Sequence, residues 1–106
     1  MPTAVQVIIY LSESDQHNHK PLHLEILRYL RQENVAGASA FHAVAGFQGR
    51  NHVHTSGLVE AGGNLPVVLT FVDLEEHVVR VLPKLREMAP GRLIVRENVV
   101  IEQNTL

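Results

Sequence analysis

The chain has 106 residues, no cysteine, and a formal charge of −2 with histidine neutral. That length makes a single domain spanning 1–106, and the lack of thiols excludes a disulfide scaffold, a thiolate metal site and a cysteine nucleophile. Nine Lys and Arg lie scattered and aromatics are only 5% of the chain, so nucleic acid is not an expected partner, because such surfaces combine a basic patch with stacking rings.

The N-terminus, Met1-Pro2-Thr3-Ala4-Val5, carries neither a basic leader nor an apolar signal core, and no apolar run approaches the ~20 residues of a membrane span. The expectation is a cytoplasmic protein with no direct membrane insertion.

Val5 to Leu11 is β-branched and aromatic-rich and reads as a strand with at least one buried face. The polar stretch Ser12 to Lys20 ends it, and Pro21 suits the first turn of a helix, where its missing N–H loses nothing. Leu22, Ile26, Leu27 and Leu30 follow at helical spacing. Asn34 can adopt a left-handed cap. Ala38 to Ala45 reads as a second strand, and Gly46 to Gly63 as a loop too long for a tight hairpin, within which His52-Val53-His54-Thr55 could extend a strand as a ribbon.

Leu65 to Val72 is the clearest strand, with Pro66 at its mouth. Asp73 and Glu76 have the spacing of an N-cap and its reciprocal acid. Leu74, Val78, Val81, Leu82 and Leu85 then form an apolar stripe reaching Met88. Pro83 inside this stripe removes the bond to the carbonyl of Val79, which predicts a kink or a break. Pro90-Gly91 ends the helix, Leu93 to Ile101 is the last strand, and 103–106 is a tail.

The order β-α-β-β-α-β predicts an α+β, ferredoxin-like sandwich: a four-stranded antiparallel sheet with both helices on one face. The strands at Val5–Leu11 and Val67–Val72 are apolar at nearly every position, so the other face also needs cover, and oligomerisation is expected.

An ordered series of residues then carries a resemblance. It consists of Ile9-Tyr10-Leu11-Ser12-Glu13, Lys20-Pro21-Leu22, Gly37-Ala38, Gly46-Phe47, His54-Thr55, Leu65-Pro66-Val67-Val68, Val72-Asp73 and Leu82-Pro83-Lys84-Leu85. It resembles the PII-like family known as domain of unknown function 190, related to the nitrogen-regulatory PII proteins. The resemblance implies a homotrimer with the sheets at its centre and a small anionic effector, such as an adenine nucleotide, in clefts between subunits. It further implies a signalling role without catalysis, and a membrane transporter or an enzyme as the regulated partner. The loop 46–63 would report occupancy, with Gly46, Gln48 and Arg50 near the ligand. Gly91-Arg92 stands where PII proteins hold phosphates with a glycine and a basic residue. Two departures accompany this. The loop has no tyrosine to modify, and the fuller PII glycine-acid-glycine-basic pattern is reduced to Ala89-Pro90-Gly91-Arg92.

The seven histidines raise alternatives. His52 and His54 share one face of an extended segment, a workable pair of ligands for a divalent metal, with His42 able to join; a solvated polar ribbon explains them as well. Metal binding would make the protein a trimer of the divalent-ion-tolerance type. His17, His19 and His23 are spaced for a similar role, or simply form a polar helix start. A third reading is a small ferredoxin-like enzyme with a pocket histidine. No nucleophile elbow or carboxylate pair supports it.

Overall fold

The computed structural model describes residues 3–47, 59–60 and 64–104. Its elements are β1 (Ala4–Ser12), β2 (Gln16–His17), β3 (Lys20–Pro21), α1 (Leu22–Gln32), β4 (Ala38–His42), β5 (Ala45–Gly46), β6 (Val59–Glu60), β7 (Pro66–Leu74), α2 (Glu75–Met88) and β8 (Leu93–Val99). The main sheet has the order β4-β7-β1-β8, antiparallel throughout, which is the ferredoxin-like arrangement. Two small ladders, β2 with β3 and β5 with β6, are appended.

Strand alternation builds the core. Val5, Val7, Ile9 and Leu11 of β1 and Val67, Leu69 and Phe71 of β7 point to the helix side and are buried. They meet Leu22, Ile26 and Leu30 of α1, spaced by four residues, and Val78, Val81, Leu85 and Met88 of α2. Period two on the strands and period 3.6 on the helices thus converge on one layer.

Among the described residues, no helix covers the opposite sheet face. Register places Phe41, Val68, Tyr10 and Leu93 side by side in one row across it, and Ser39, Thr70, Ile8 and Val95 in the next. Phe41 is 57% and Leu93 60% exposed. The third row is polar on β1 and β8, with Gln6 beside Glu97 and Val72. Gln6 donates to Thr70 Oγ1 at 3.2 Å. The open face is therefore apolar towards the loop end of the sheet and polar at the other.

Several local expectations hold. Asn34 has φ 64°, the Asn34 N–H bonds the Arg31 carbonyl, and the Val35 N–H reaches back to that of Leu30. This is a Schellman closure of α1. Gly91 has φ +77°, and the Arg92 N–H bonds the Ala89 carbonyl at 3.2 Å. Pro followed by a positive-φ Gly is the signature of a type II turn, so Gly91 is needed for the chain reversal whatever it binds.

Others are corrected. Of the kink or break expected at Pro83, the break is absent: α2 runs from Glu75 to Met88 through it. Pro83 lies on the exposed side of the helix, where the freed Val79 carbonyl can turn to water while the buried stripe holds the turns together. The N-cap of α2 is Leu74, with no side-chain cap bond; Asp73 lies one residue earlier and is buried at 2% exposure. It accepts the Leu74 N–H at 2.7 Å and the Ala36 N–H at 3.3 Å, and His77 Nδ1 lies 3.0 Å from it. The last strand ends at Val99, short of the expected Ile101, and the second core strand at His42, short of Ala45.

The stretch after β1 is more structured than its polarity suggests. His17 pairs with Lys20, and the two residues between, Asn18 and His19, both have positive φ, 53° and 66°. That is the geometry of a type I′ hairpin turn. Pro21 is the N-cap of α1 rather than a residue of its first turn.

Candidate functional site: the loop end of the sheet

The carboxyl ends of β1 and β4 and the amino ends of β7 and β8 lie at one end of the sheet. All the described site residues predicted from sequence gather there. Gly46 closes β5 and pairs with Val59 across the small ladder. A Cβ at Gly46 would stand 3.2 Å from Pro66 Cγ, so the glycine allows this strand to pass close to the start of β7. Gly91 and Arg92 precede β8, an edge strand separated from β7 by β1. Gln48, Arg50, His52 and His54 lie outside the described residues.

Two acidic residues that the sequence did not single out as site residues organise this end. Glu13, just beyond β1, holds the base of the long connection between β5 and β7. Its N–H bonds the Leu65 carbonyl at 3.0 Å, its Oε1 accepts the Leu65 N–H at 3.2 Å, and its Oε2 lies 3.3 Å from His42 Nε2. Asp15 works on the other edge. Its Oδ2 accepts the Ser12 N–H at 2.8 Å, its carbonyl accepts the first N–H of α1, from Leu22, at 2.8 Å, and its Oδ1 pairs with the Arg92 guanidinium. The Ser12–Asp15 segment is thus tied to both sides of the candidate site.

His23 on α1 meets His42 edge to face, with ring centroids 5.8 Å apart. His17 and His19 sit in the hairpin before α1 and do not join them in a metal cluster. Among the described residues, no group of three or more His, Asp or Glu side chains is placed to hold a metal ion. His23 Nδ1 is buried and lacks a hydrogen-bond partner among the described residues. Burial lowers the His23 pKa from 6.5, repulsion from His42 adds to this, and Glu13 opposes it.

A histidine with a depressed folded pKa takes its proton more readily in the unfolded chain. Stability is then intact above the unfolded value, falls as pH drops below about 6.5, and levels off once the lowered folded pKa is passed. Comparing the melting temperatures of the wild type and His23→Gln between pH 8 and 5 tests this. The wild type should lose stability more steeply below pH 6.5, and parallel curves would refute the burial of an unpartnered imidazole.

At the opposite end of the sheet, a shallow groove is lined by Thr3, Leu74, Glu75, Glu76 and Val79. It contains none of the described site residues, Gly46, Gly91 and Arg92. No helix among the described residues is long and apolar enough to cross a membrane.

The four-stranded sheet with two helices on one face and the site-bearing loops at one end is a PII-like, ferredoxin-like architecture. The DUF190 family, described as "Uncharacterized ACR", matches residues 4–101; the chain belongs to that family, as its ordered residue series suggested. It is 35% identical over 99 residues to the UPF0166 protein MJ1524 of Methanocaldococcus jannaschii, covering 92% of this chain and 91% of that protein. A UPF0166 protein of Aquifex aeolicus is 29% identical over 93 residues, covering 88% of each. Among solved structures, a Thermus thermophilus protein described as a PII-like signalling protein superposes with a TM-score of 0.55. The match covers 93% of this chain and 91% of that one at 17% identity, a likeness that bears on the fold alone.

Proposed function

We propose that this protein is a PII-like regulatory protein, not an enzyme, which binds a small anionic effector in clefts between the subunits of a cytoplasmic homotrimer. An adenine nucleotide is the leading candidate effector. The observation that carries the reading is the gathering of Gly46, Gly91 and Arg92 at one end of a sheet whose face away from the helices bears apolar rows. A head-to-tail ring would set one edge of each subunit against the other edge of the next, and such contacts close into rings. The uncovered rows holding Phe41, Tyr10, Leu93, Ile8 and Val95 supply the apolar surface that a central contact needs.

Gly46, Gln48 and Arg50 would approach the ligand from one subunit, and Gly91 and Arg92 from its neighbour. A guanidinium offers a bidentate fork to phosphate oxygens. Binding would order the loop 46–63 and change the surface offered to a regulated transporter or enzyme, a disorder-to-order switch. The metal-binding alternative rests on His52 and His54 and would need zinc, copper or nickel affinity lost in their double mutant. Titration calorimetry with ATP, ADP, AMP and cyclic AMP, each with and without magnesium, tests the main reading. Saturable binding near one site per subunit is expected, weakened at least about tenfold by Arg92→Ala. No heat from any of the four nucleotides would remove the adenine-nucleotide assignment.

A further inference from the structure

We infer that Asp15 is a specificity-determining residue of the anion site. Its carboxylate already neutralises the guanidinium of Arg92 that an anionic ligand would contact, so it competes with any ligand for that charge, and a multiply charged phosphate chain competes most effectively. The inference rests on the assignment of Arg92 to anion binding.

The Asp15–Arg92 pair differs from the other pairs that Lys and Arg make among the described residues. Arg28–Glu25 and Lys84–Glu87 join residues three apart on a helix surface, and Arg80–Glu33 is well exposed on both sides. Asp15 and Arg92 are 77 residues apart, and their side chains are only 13% and 30% exposed. Asp15 is also fixed in place. One carboxylate oxygen accepts the Ser12 N–H, the other faces Arg92, and its backbone carbonyl receives the first N–H of α1. The carboxylate is therefore presented to the guanidinium by the fold and does not reach it through a flexible stem.

Such an intramolecular partner acts at an effective concentration in the millimolar range or above. A free carboxylate ligand offers the same two oxygens and the same single charge, so it gains nothing by the exchange. A di- or triphosphate carries more charge and more acceptor oxygens, and it can hold the guanidinium in two parallel bonds while reaching backbone N–H groups beside it. The repulsion from Asp15 falls on every anion and grows with its charge, and the bidentate grip and added N–H contacts of a phosphate chain are what offset it. The Asp15 carboxylate, once displaced, keeps its second oxygen on Ser12 and remains at the base of the segment that contains Glu13.

The test is calorimetric titration of the wild type, Asp15→Asn, Arg92→Ala and the double variant with ATP, tripolyphosphate and succinate. Asparagine keeps an acceptor for the Ser12 N–H and removes the charge. Asp15→Asn should tighten ATP and tripolyphosphate about tenfold and bring succinate binding into range. That gain should vanish in the Arg92→Ala background. In the wild type, the Asp15 carboxyl carbon resonance should move on titration with tripolyphosphate, with the same midpoint as the calorimetric curve, a readout that needs no variant to fold. If Asp15→Asn leaves binding unchanged or weaker while Arg92→Ala abolishes it, the role of Asp15 is overturned and the anion site stands. If neither the wild type nor Asp15→Asn binds any of the three probes, the anion site and the role of Asp15 fall together. ATP binding without tripolyphosphate binding would overturn the restriction to phosphate chains.

Discussion

Ile9→Ala is expected to lower the unfolding free energy by about 2–5 kcal/mol, the range for emptying a buried aliphatic site. Ile9 is 0% exposed and lies at the middle of β1, opposite Leu69 on β7 and Ile94 on β8. It is enclosed on both sides by strands and from above by the helices. A domain of this size has roughly 5–15 kcal/mol in total, so the variant should be half-unfolded at much lower urea than the wild type. Ile8→Ala is the control. Ile8 points to the open face, between Thr70 and Val95, and its loss should act on assembly more than on the subunit's own core. Because a one-residue slip exchanges the two faces of a strand, a costly Ile8→Ala beside a neutral Ile9→Ala would mean that the register is wrong.

Asp73→Ala should cost about 1–3 kcal/mol, through the part-buried N–H groups it leaves without an acceptor. The Asp73 carboxylate holds the N–H of Ala36, on the connection between α1 and β4, and that of Leu74, where β7 passes into α2. One side chain thus fixes its own junction and another 37 residues away in the chain. Alanine leaves both part-buried donors without their acceptor. Asp73→Asn keeps one acceptor oxygen and should lose a smaller part of that energy. Urea denaturation of the three proteins reads the difference directly, and a change below about 0.5 kcal/mol for Asp73→Ala, the size of an ordinary surface substitution, would show that Asp73 is not the junction the geometry describes.

The fold was legible where sequence signals were local and periodic. The β-branched apolar runs at Val5–Leu11 and Val67–Val72, the spacing of Leu22, Ile26 and Leu30, and the cap at Asn34 need only near neighbours to be read, and they place the core correctly. The apolar residues on the second face of the strands also announced a surface without helices. The misreadings have a common cause in tertiary context. Asp73 has the spacing of a helix cap, but its carboxylate is drawn to Ala36, a partner that exists only once α1 and β4 are in place. Pro83 looks like a helix breaker, yet the packing of Val81 and Leu85 on the sheet carries the helix past it. The hairpin at Asn18-His19 lacks the Asn-Gly pair that normally marks such a turn.

The candidate site was half legible. Gly91 and Arg92 form a local motif that the family resemblance brought forward, and Arg92 does stand at the loop end of the sheet. Glu13 enters only as the last member of the first segment of the family series, with no role attached, and Asp15 belongs to no motif in the polar stretch Ser12 to Lys20. Their partners, Leu65 and Arg92, are 52 and 77 residues away, a separation at which sequence patterns give no sign of contact. The acidic character of the residues just past a buried strand was the one available signal, and it does not distinguish a solvated loop from a clamp.

Native mass spectrometry of the protein with and without ATP tests the central claim most directly, because it counts chains and ligands in the same spectrum. The account predicts a species of three chains, each of 11.8 kDa, taking up to three nucleotides as ATP is added, with nucleotide lost in Arg92→Ala while the trimer persists. A monomer at all concentrations, or a trimer that takes up no nucleotide, would contradict it.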